Sequence, residues 1–195
     1  MRNAIEVKDL SVSYGKNKVL DNVFLDIPLQ SRTAIIGANG AGKSTFIKAI
    51  LGLIKKEKGD VKILGNHIKS TKQNVAYVPQ KDSVNWDFPI SVYDVVMMGR
   101  YPHMKSFAKA DKKDHDCVSD ALNEMGILDL KNRQISNLSG GQKQRVFLAR
   151  ALAQDAAIYI LDEPLTGVDV KTEDIIADEF KKMQEMGKTV LAVHH

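Results

Sequence analysis

The alternation of apolar and polar residues is clearest at the start of the chain. Between Ala4 and Ile27 the apolar positions Ile5, Val7, Leu10, Val12, Val19, Leu20, Val23, Leu25 and Ile27 mostly alternate with polar ones, the period of a half-exposed strand. Gly15-Lys16-Asn17 breaks the alternation, so this region predicts two antiparallel strands joined by a turn. Thr33 to Ile36 predicts a third strand, and Phe46, Ile47, Ile50 and Leu51 fall at helical spacing up to Gly52. Val61, Ile63 and Leu64 lead into Gly65-Asn66, the pattern of a further hairpin. Val75-Ala76-Tyr77-Val78 reads as a short strand halted by Pro79.

From residue 81 to about residue 150, helical spacing replaces alternation. Ser91 heads a segment with Val92, Val95 and Val96 on one side, and Asp111 heads a helix closed by Gly126. Lys143 to Gln154 carries Val146, Ala149, Leu152 and Ala153 along one face. The unbroken apolar run Ala156 to Leu161 suits the centre of a parallel sheet. Thr172 to Met186 predicts an amphipathic helix capped by Gly187, and Thr189 to Val193 a last buried strand. The predicted class is therefore α/β, a mostly parallel sheet flanked by helices, with an N-terminal antiparallel β-subdomain and an inserted helical subdomain. The expected division places the core and β-subdomain in 1–80 and 151–195, and the helical subdomain in 81–150.

Composition adds limits. The 195 residues carry 28 basic and 24 acidic side chains, a net charge of +4 that is too small to argue for nucleic acid. The single Cys117 excludes an internal disulfide and a cysteine-based zinc site. Its helical register with Val118, Ala121, Leu122 and Met125 predicts a buried core thiol. No apolar stretch reaches the length of a membrane span, so the expectation is a cytosolic protein whose membrane role runs through another subunit.

The candidate chemistry begins at Gly37-Ala38-Asn39-Gly40-Ala41-Gly42-Lys43-Ser44-Thr45, which fits the phosphate-loop pattern between a strand and a helix. Such a turn exposes successive backbone N–H groups beside the positive end of a helix dipole, so it holds polyphosphate. Lys43 is placed to reach the terminal phosphates, and the Ser44 hydroxyl to ligate Mg2+. Leu138-Ser139-Gly140-Gly141-Gln142 marks a second helix start, either a plain capped terminus or one shaped for an anion. Asp162 and Glu163 close the buried strand before Pro164, and alternation turns their carboxylates to opposite sides. Other positions stay open at this level. Tyr14 is either a cross-strand packing residue or a ring offered to a flat ligand. Gln80 is a surface amide or a contact to metal or water, and Trp86 and Phe88 are core or a docking surface. His67, His103 and His115 are scattered and read as surface residues.

Taken together, the phosphate loop, Gln80, Leu138 to Gln142, the strand Ile158 to Glu163 and the terminal histidine resemble, in order and spacing, the ATP-binding-cassette ATPases. The likeness spans essentially the whole chain. It implies ATP as ligand with Gly37, Asn39, Gly40, Ala41, Gly42, Lys43, Ser44 and Thr45 around its phosphates and Tyr14 on adenine. Ser44, Gln80 and Asp162 would arrange Mg2+, Glu163 would be the general base, and His195 would contact the γ-phosphate. Ser139, Gly140, Gly141, Gln142 and Asp169 would serve the ATP of a second copy, in a head-to-tail homodimer. Val84 to Pro89 and Asp94 to Tyr101 are similar to segments of subunits that energise bacterial manganese, zinc or iron importers. That likeness implies a permease partner, an indirect extracytoplasmic substrate-binding protein and a place on the cytoplasmic face of the membrane. It turns Trp86, Phe88 and Tyr101 toward a docking surface. Family members usually continue beyond the histidine, so a truncated form with weakened hydrolysis and surviving ATP binding is also expected. The competing readings are a soluble ABC protein acting as a nucleotide switch and a P-loop small-molecule kinase, which the signature pentapeptide opposes.

Overall fold

The computed structural model describes residues 2–80, 86–105 and 108–194. Strands β1 (Asn3–Tyr14) and β2 (Asn17–Pro28) form the expected antiparallel pair around Gly15 and Lys16. Strand β3 (Arg32–Ile36) leads through the glycine-rich turn into helix α1 (Lys43–Ile50). Strand β4 (Lys58–Ile63) departs from the predicted hairpin: it pairs antiparallel with β1, giving the order β2-β1-β4. After the turn at Gly65 the chain enters a short helix, α2 (Ile68–Thr71), so no second strand returns along β4. The apolar face of β4 finds a better partner in β1, where Ile5 meets Ile63 and Val7 meets Val61.

Strands β5 (Val75–Val78), β6 (Ile158–Asp162) and β7 (Thr189–His194) join β3 in a parallel sheet of order β3-β7-β6-β5. Helices α3 (Val92–Met97), α4 (Lys112–Glu124), α5 (Gly140–Ala153) and α6 (Val170–Glu185) complete the fold. Every residue of β6 is buried, as its apolar run requires. Period-two alternation divides the sheet between two cores. Ile158, Ile160, Leu191 and Val193 face α1 and the antiparallel sheet. Tyr159, Leu161, Val190 and Ala192 face the helices. Edge strand β3 has one neighbour and alternates in exposure, with Ile36 74% exposed.

In α4, Val118, Ala121 and Leu122 are buried but Cys117 is only half-buried, which corrects the expectation of a core thiol. One helical position to the side of the apolar stripe is enough to leave it at the margin. Deeper in the same layer Arg100 donates from Nε to Asp114 at 2.9 Å and from Nη1 to the Ala153 carbonyl at 2.8 Å. This pair ties the 3-10 turn Met98–His103 to α4 and to the end of α5. The Arg100 guanidinium holds the Asp114 carboxyl below the ordinary range, helped by the Asp111 backbone N–H. With the folded value below the unfolded one, the pair stabilises above pH about 4 and its contribution fades as pH falls further. Asp114→Ala strands a buried cation and is expected to cost about 3 to 5 kcal/mol. A thermal melt at pH 7 should show Tm lower by about 10 °C, with a smaller difference in acid.

Candidate functional site

Four of the helices begin with a side-chain cap. Ser91, Asp111, Ser139 and Asp169 each accept a backbone N–H in the first turn of α3, α4, α5 and α6. Helix α1 does not: its N-cap is Gly42, at φ 90, with no side-chain bond and no acidic residue in the first turn. The amide end of α1 is thus left to an outside anion. Gly42 is needed twice over, for its positive φ and because a Cβ there would meet Val19 and Leu20 at 3.1 Å. Lys43 is 8% exposed, and its ammonium donates to the carbonyls of Gly37 at 2.6 Å and Ala38 at 3.0 Å. A flexible stem is thereby held along the loop.

The loop opens on a cleft of about 480 Å3 whose walls include Asn39, Gly40, Ser44 and Thr45 on one side and Gln80 and Glu163 on the other. The split of the two acids follows from the sheet. Asp162 continues the row of Ile158 and Ile160 toward α1, where its Oδ1 accepts from the Ser44 hydroxyl at 3.2 Å. Glu163 turns the other way and accepts from Gln80 Nε2 at 2.9 Å and from Thr166 Oγ1 at 3.4 Å. Its φ of 53 puts a non-glycine residue in the left-handed region at the strand's end, backbone strain of the kind found at reacting sites. Burial pushes the Asp162 carboxyl up, opposed by the Ser44 bond and by Lys48 and Lys43. An oxygen pair of this kind suits a hard divalent cation, which would offset that burial.

Ser139 to Gln142 and Asp169 lie outside this cleft but close to one another. Ser139 and Gln142 form a capping box, each side chain accepting the other's backbone N–H. Since the Ser139 oxygen accepts here, its own hydrogen is the part of the hydroxyl that can donate. A Cβ on Gly141 would lie 2.9 Å from Asp169 Oδ2 and 3.1 Å from Thr172 Oγ1. Asp169 accepts from the Thr172 backbone and hydroxyl, both at 3.0 Å, which hold its carboxyl below the usual range. The starts of α5 and α6 therefore form one surface feature.

The family description "ABC transporter" matches residues 20–166 of the chain. The chain belongs to the ABC transporter family. Among its relatives, the manganese transport system ATP-binding protein MntB of Bacillus subtilis (strain 168) is 49% identical over 191 residues, covering 98% of this chain and 76% of the relative. The zinc transport system ATP-binding protein TroB of Treponema pallidum (strain Nichols) is 47% identical, with coverage of 98% and 72%. A solved inward-facing structure assigned to the metal-chelate type of ABC transporter superposes with a TM-score of 0.84 at 29% identity, covering 100% of this chain and 74% of that one. The expected fold class is borne out, and ATP is the ligand of this family's phosphate loop.

Within this ABC protein some residues predicted from sequence stand apart. Tyr14, 51% exposed, ends β1 beside the turn, and Ala41 lies on the neighbouring apolar groove with Phe24 and Ile36. His195 lies outside the described residues, as do Val84 and Asn85. Trp86 and Phe88 part company: Trp86 is half-buried edge-on against Phe147 at 4.9 Å, whereas Phe88 is 63% exposed. Of the three rings expected on a docking surface, Phe88 and Tyr101 are the exposed ones. Sequence reading also missed Val19, which lines the cleft, and Thr166, which holds Glu163. Val19 carried only the signature of a strand residue, and a threonine in a turn carries none.

Proposed function

We propose that this ABC ATPase binds and hydrolyses ATP to energise a membrane importer of a transition metal, manganese or zinc in the first instance. The observation that carries the reading is the convergence of Lys43, the Ser44–Asp162 pair and the Gln80–Glu163 pair on one cleft. The relatives named for manganese and zinc transport favour it over a soluble nucleotide switch.

In this reading Tyr14 stacks on adenine beside Val19. Gly37, Asn39, Gly40, Ala41, Gly42, Lys43 and Thr45 hold the phosphates through backbone N–H groups and the ammonium. Ser44, Asp162 and Gln80 hold Mg2+, directly or through water. The fit is good, because the set is all oxygen and small. Among the described residues no cluster of three or more His, Cys, Asp or Glu forms a cage, and Mg2+ keeps most of its sphere for phosphate and water. When bound, Mg2+ supplies neutralisation of phosphate charge. Glu163, oriented by Gln80 and Thr166, takes the proton of the attacking water, and His195 contacts the γ-phosphate. Positioning and fixed charge do the rest of the catalysis.

The reading continues to the assembly. Ser139, Gly140, Gly141, Gln142 and Asp169 face the ATP held by a second copy, so two sites form in a two-fold dimer. The closeness of Asp169 to Gly141, which leaves no room for a Cβ there, supports this, since neither lines its own cleft. Residues 81–150 act as a helical subdomain against the core of 1–80 and 151–195. No described helix is long and apolar enough to cross a membrane. In this reading the chain sits on the cytoplasmic face against a permease. A substrate-binding protein acts on the far side, and no nucleic acid is involved. Co-purification tests the partner. The double change Phe88→Ser and Tyr101→Ser should cut permease recovery about tenfold, as expected for two anchor rings, with ATP binding unchanged. Full recovery of the permease would remove the proposed surface.

A further inference from the structure

Strand β5 is an edge of the parallel sheet, bonded on one side to β6. An edge strand leaves every second carbonyl without a strand partner. In β5 two such groups are met from α5: Arg150 Nη2 donates to the Tyr77 carbonyl at 3.2 Å, and Gln154 Nε2 to the Val75 carbonyl at 2.9 Å. The spacing fits. Residues i and i+2 of a strand repeat at about 6.7 Å, and residues i and i+4 of a helix at about 6 Å. One face of α5 therefore stands in for a missing strand. The same arginine lies 4.4 Å above the Phe147 ring, which also meets Trp86 edge-on, and Lys143 lies 5.2 Å above Trp86. Burial lowers the affinity of Arg150 for its proton, and its contacts among the described residues are a hydrogen bond and a ring stack.

Tyr77 lies three positions before Gln80, and Trp86 follows it. Both flanks of Gln80 are thus seated on the helix whose N-terminus is Ser139 to Gln142. We propose that Arg150 is the positioning residue of Gln80: by holding the Tyr77 carbonyl and the Phe147–Trp86 stack, it fixes the Gln80 amide on Glu163 relative to α5. The 2.9 Å hydrogen bond between Gln80 and Glu163 is then a property of α5 as much as of β5. The kinetic consequence rests on the hydrolytic reading above; the seating of Trp86 does not.

The test uses the whole chain, whose one tryptophan reports on the stack directly. In Arg150→Met, acrylamide quenching of Trp86 should rise about twofold, and kcat for ATP should fall about tenfold with KM within about twofold, the pattern of a lost transition-state contact. Arg150→Lys, which restores one donor, should recover part of both. In a Gln80→Ala background the arginine change should cause no further loss of kcat, because coupled groups are not additive. Multiplying losses in that background, or unchanged quenching in Arg150→Met, would overturn the proposal. If the parent chain hydrolyses no ATP, the hydrolytic reading fails on its own, and quenching in the Met and Lys variants still decides the clamp. If Arg150→Met does not fold, Arg150→Lys against Gln154→Leu decides it: quenching at the parental value in both counts against the clamp.

Discussion

Glu163→Gln is expected to keep ATP binding within about twofold and to slow hydrolysis by about 100-fold or more, the range for loss of a general base. The amide has the size of the carboxylate and retains an oxygen that can accept from Gln80 Nε2, now at 2.9 Å. The bend at φ 53 belongs to the backbone and is unaffected. What is lost is the proton acceptor. Stability should hold or rise, because Glu163 and Asp162 are adjacent buried carboxylates, 7% and 1% exposed, and the first raises the proton affinity of the second. Single-turnover hydrolysis beside equilibrium binding of a labelled nucleotide separates the two effects. Substantial remaining turnover would refute the base assignment.

The second large effect is on binding. Lys43→Met should weaken ATP by about 100-fold, or about 3 kcal/mol, within the span seen on truncating one member of a charge pair. Among the described residues lining the cleft Lys43 is the one cation, and Glu163 lines the same cleft. Its ammonium is held by the Gly37 and Ala38 carbonyls at 2.6 and 3.0 Å, so little rotamer freedom remains to be lost on binding. Without it, a polyanion meets the Glu163 carboxylate with only the amide end of α1 to offset the repulsion. Lys43→Arg, with the charge kept and the compact head lost, should fall between the two in calorimetric titration. Parental affinity in Lys43→Met would place the nucleotide elsewhere.

Much of this was readable in order along the chain, for local reasons. The turn at Gly15, the capping residues Ser91, Asp111 and Ser139, and the strand-loop-helix at Gly37 to Thr45 rest on contacts between near neighbours. Divergence of the Asp162 and Glu163 carboxylates needed only the two-residue period of a strand. Cys117 sits where either burial or exposure suits the side chain, and the choice was made by the position of α4 rather than by neighbours in sequence. The two readings left open for Trp86 likewise turn on a distant partner, Phe147.

By itself, then, the sequence determined most of the elements, the caps Ser91, Asp111 and Ser139, the buried central strand and the phosphate-binding character of the loop before α1, because those depend on periodicity, turn chemistry and helix ends. Only the tertiary structure decided that β4 joins β1, that β5 is an edge, and that Val19 and Thr166 reach the cleft and Glu163. It also brought Arg150 to the Tyr77 carbonyl across 73 residues of sequence. Such pairings turn on how whole layers meet, and a polar side chain far along the chain gives no local sign of which backbone group it will satisfy.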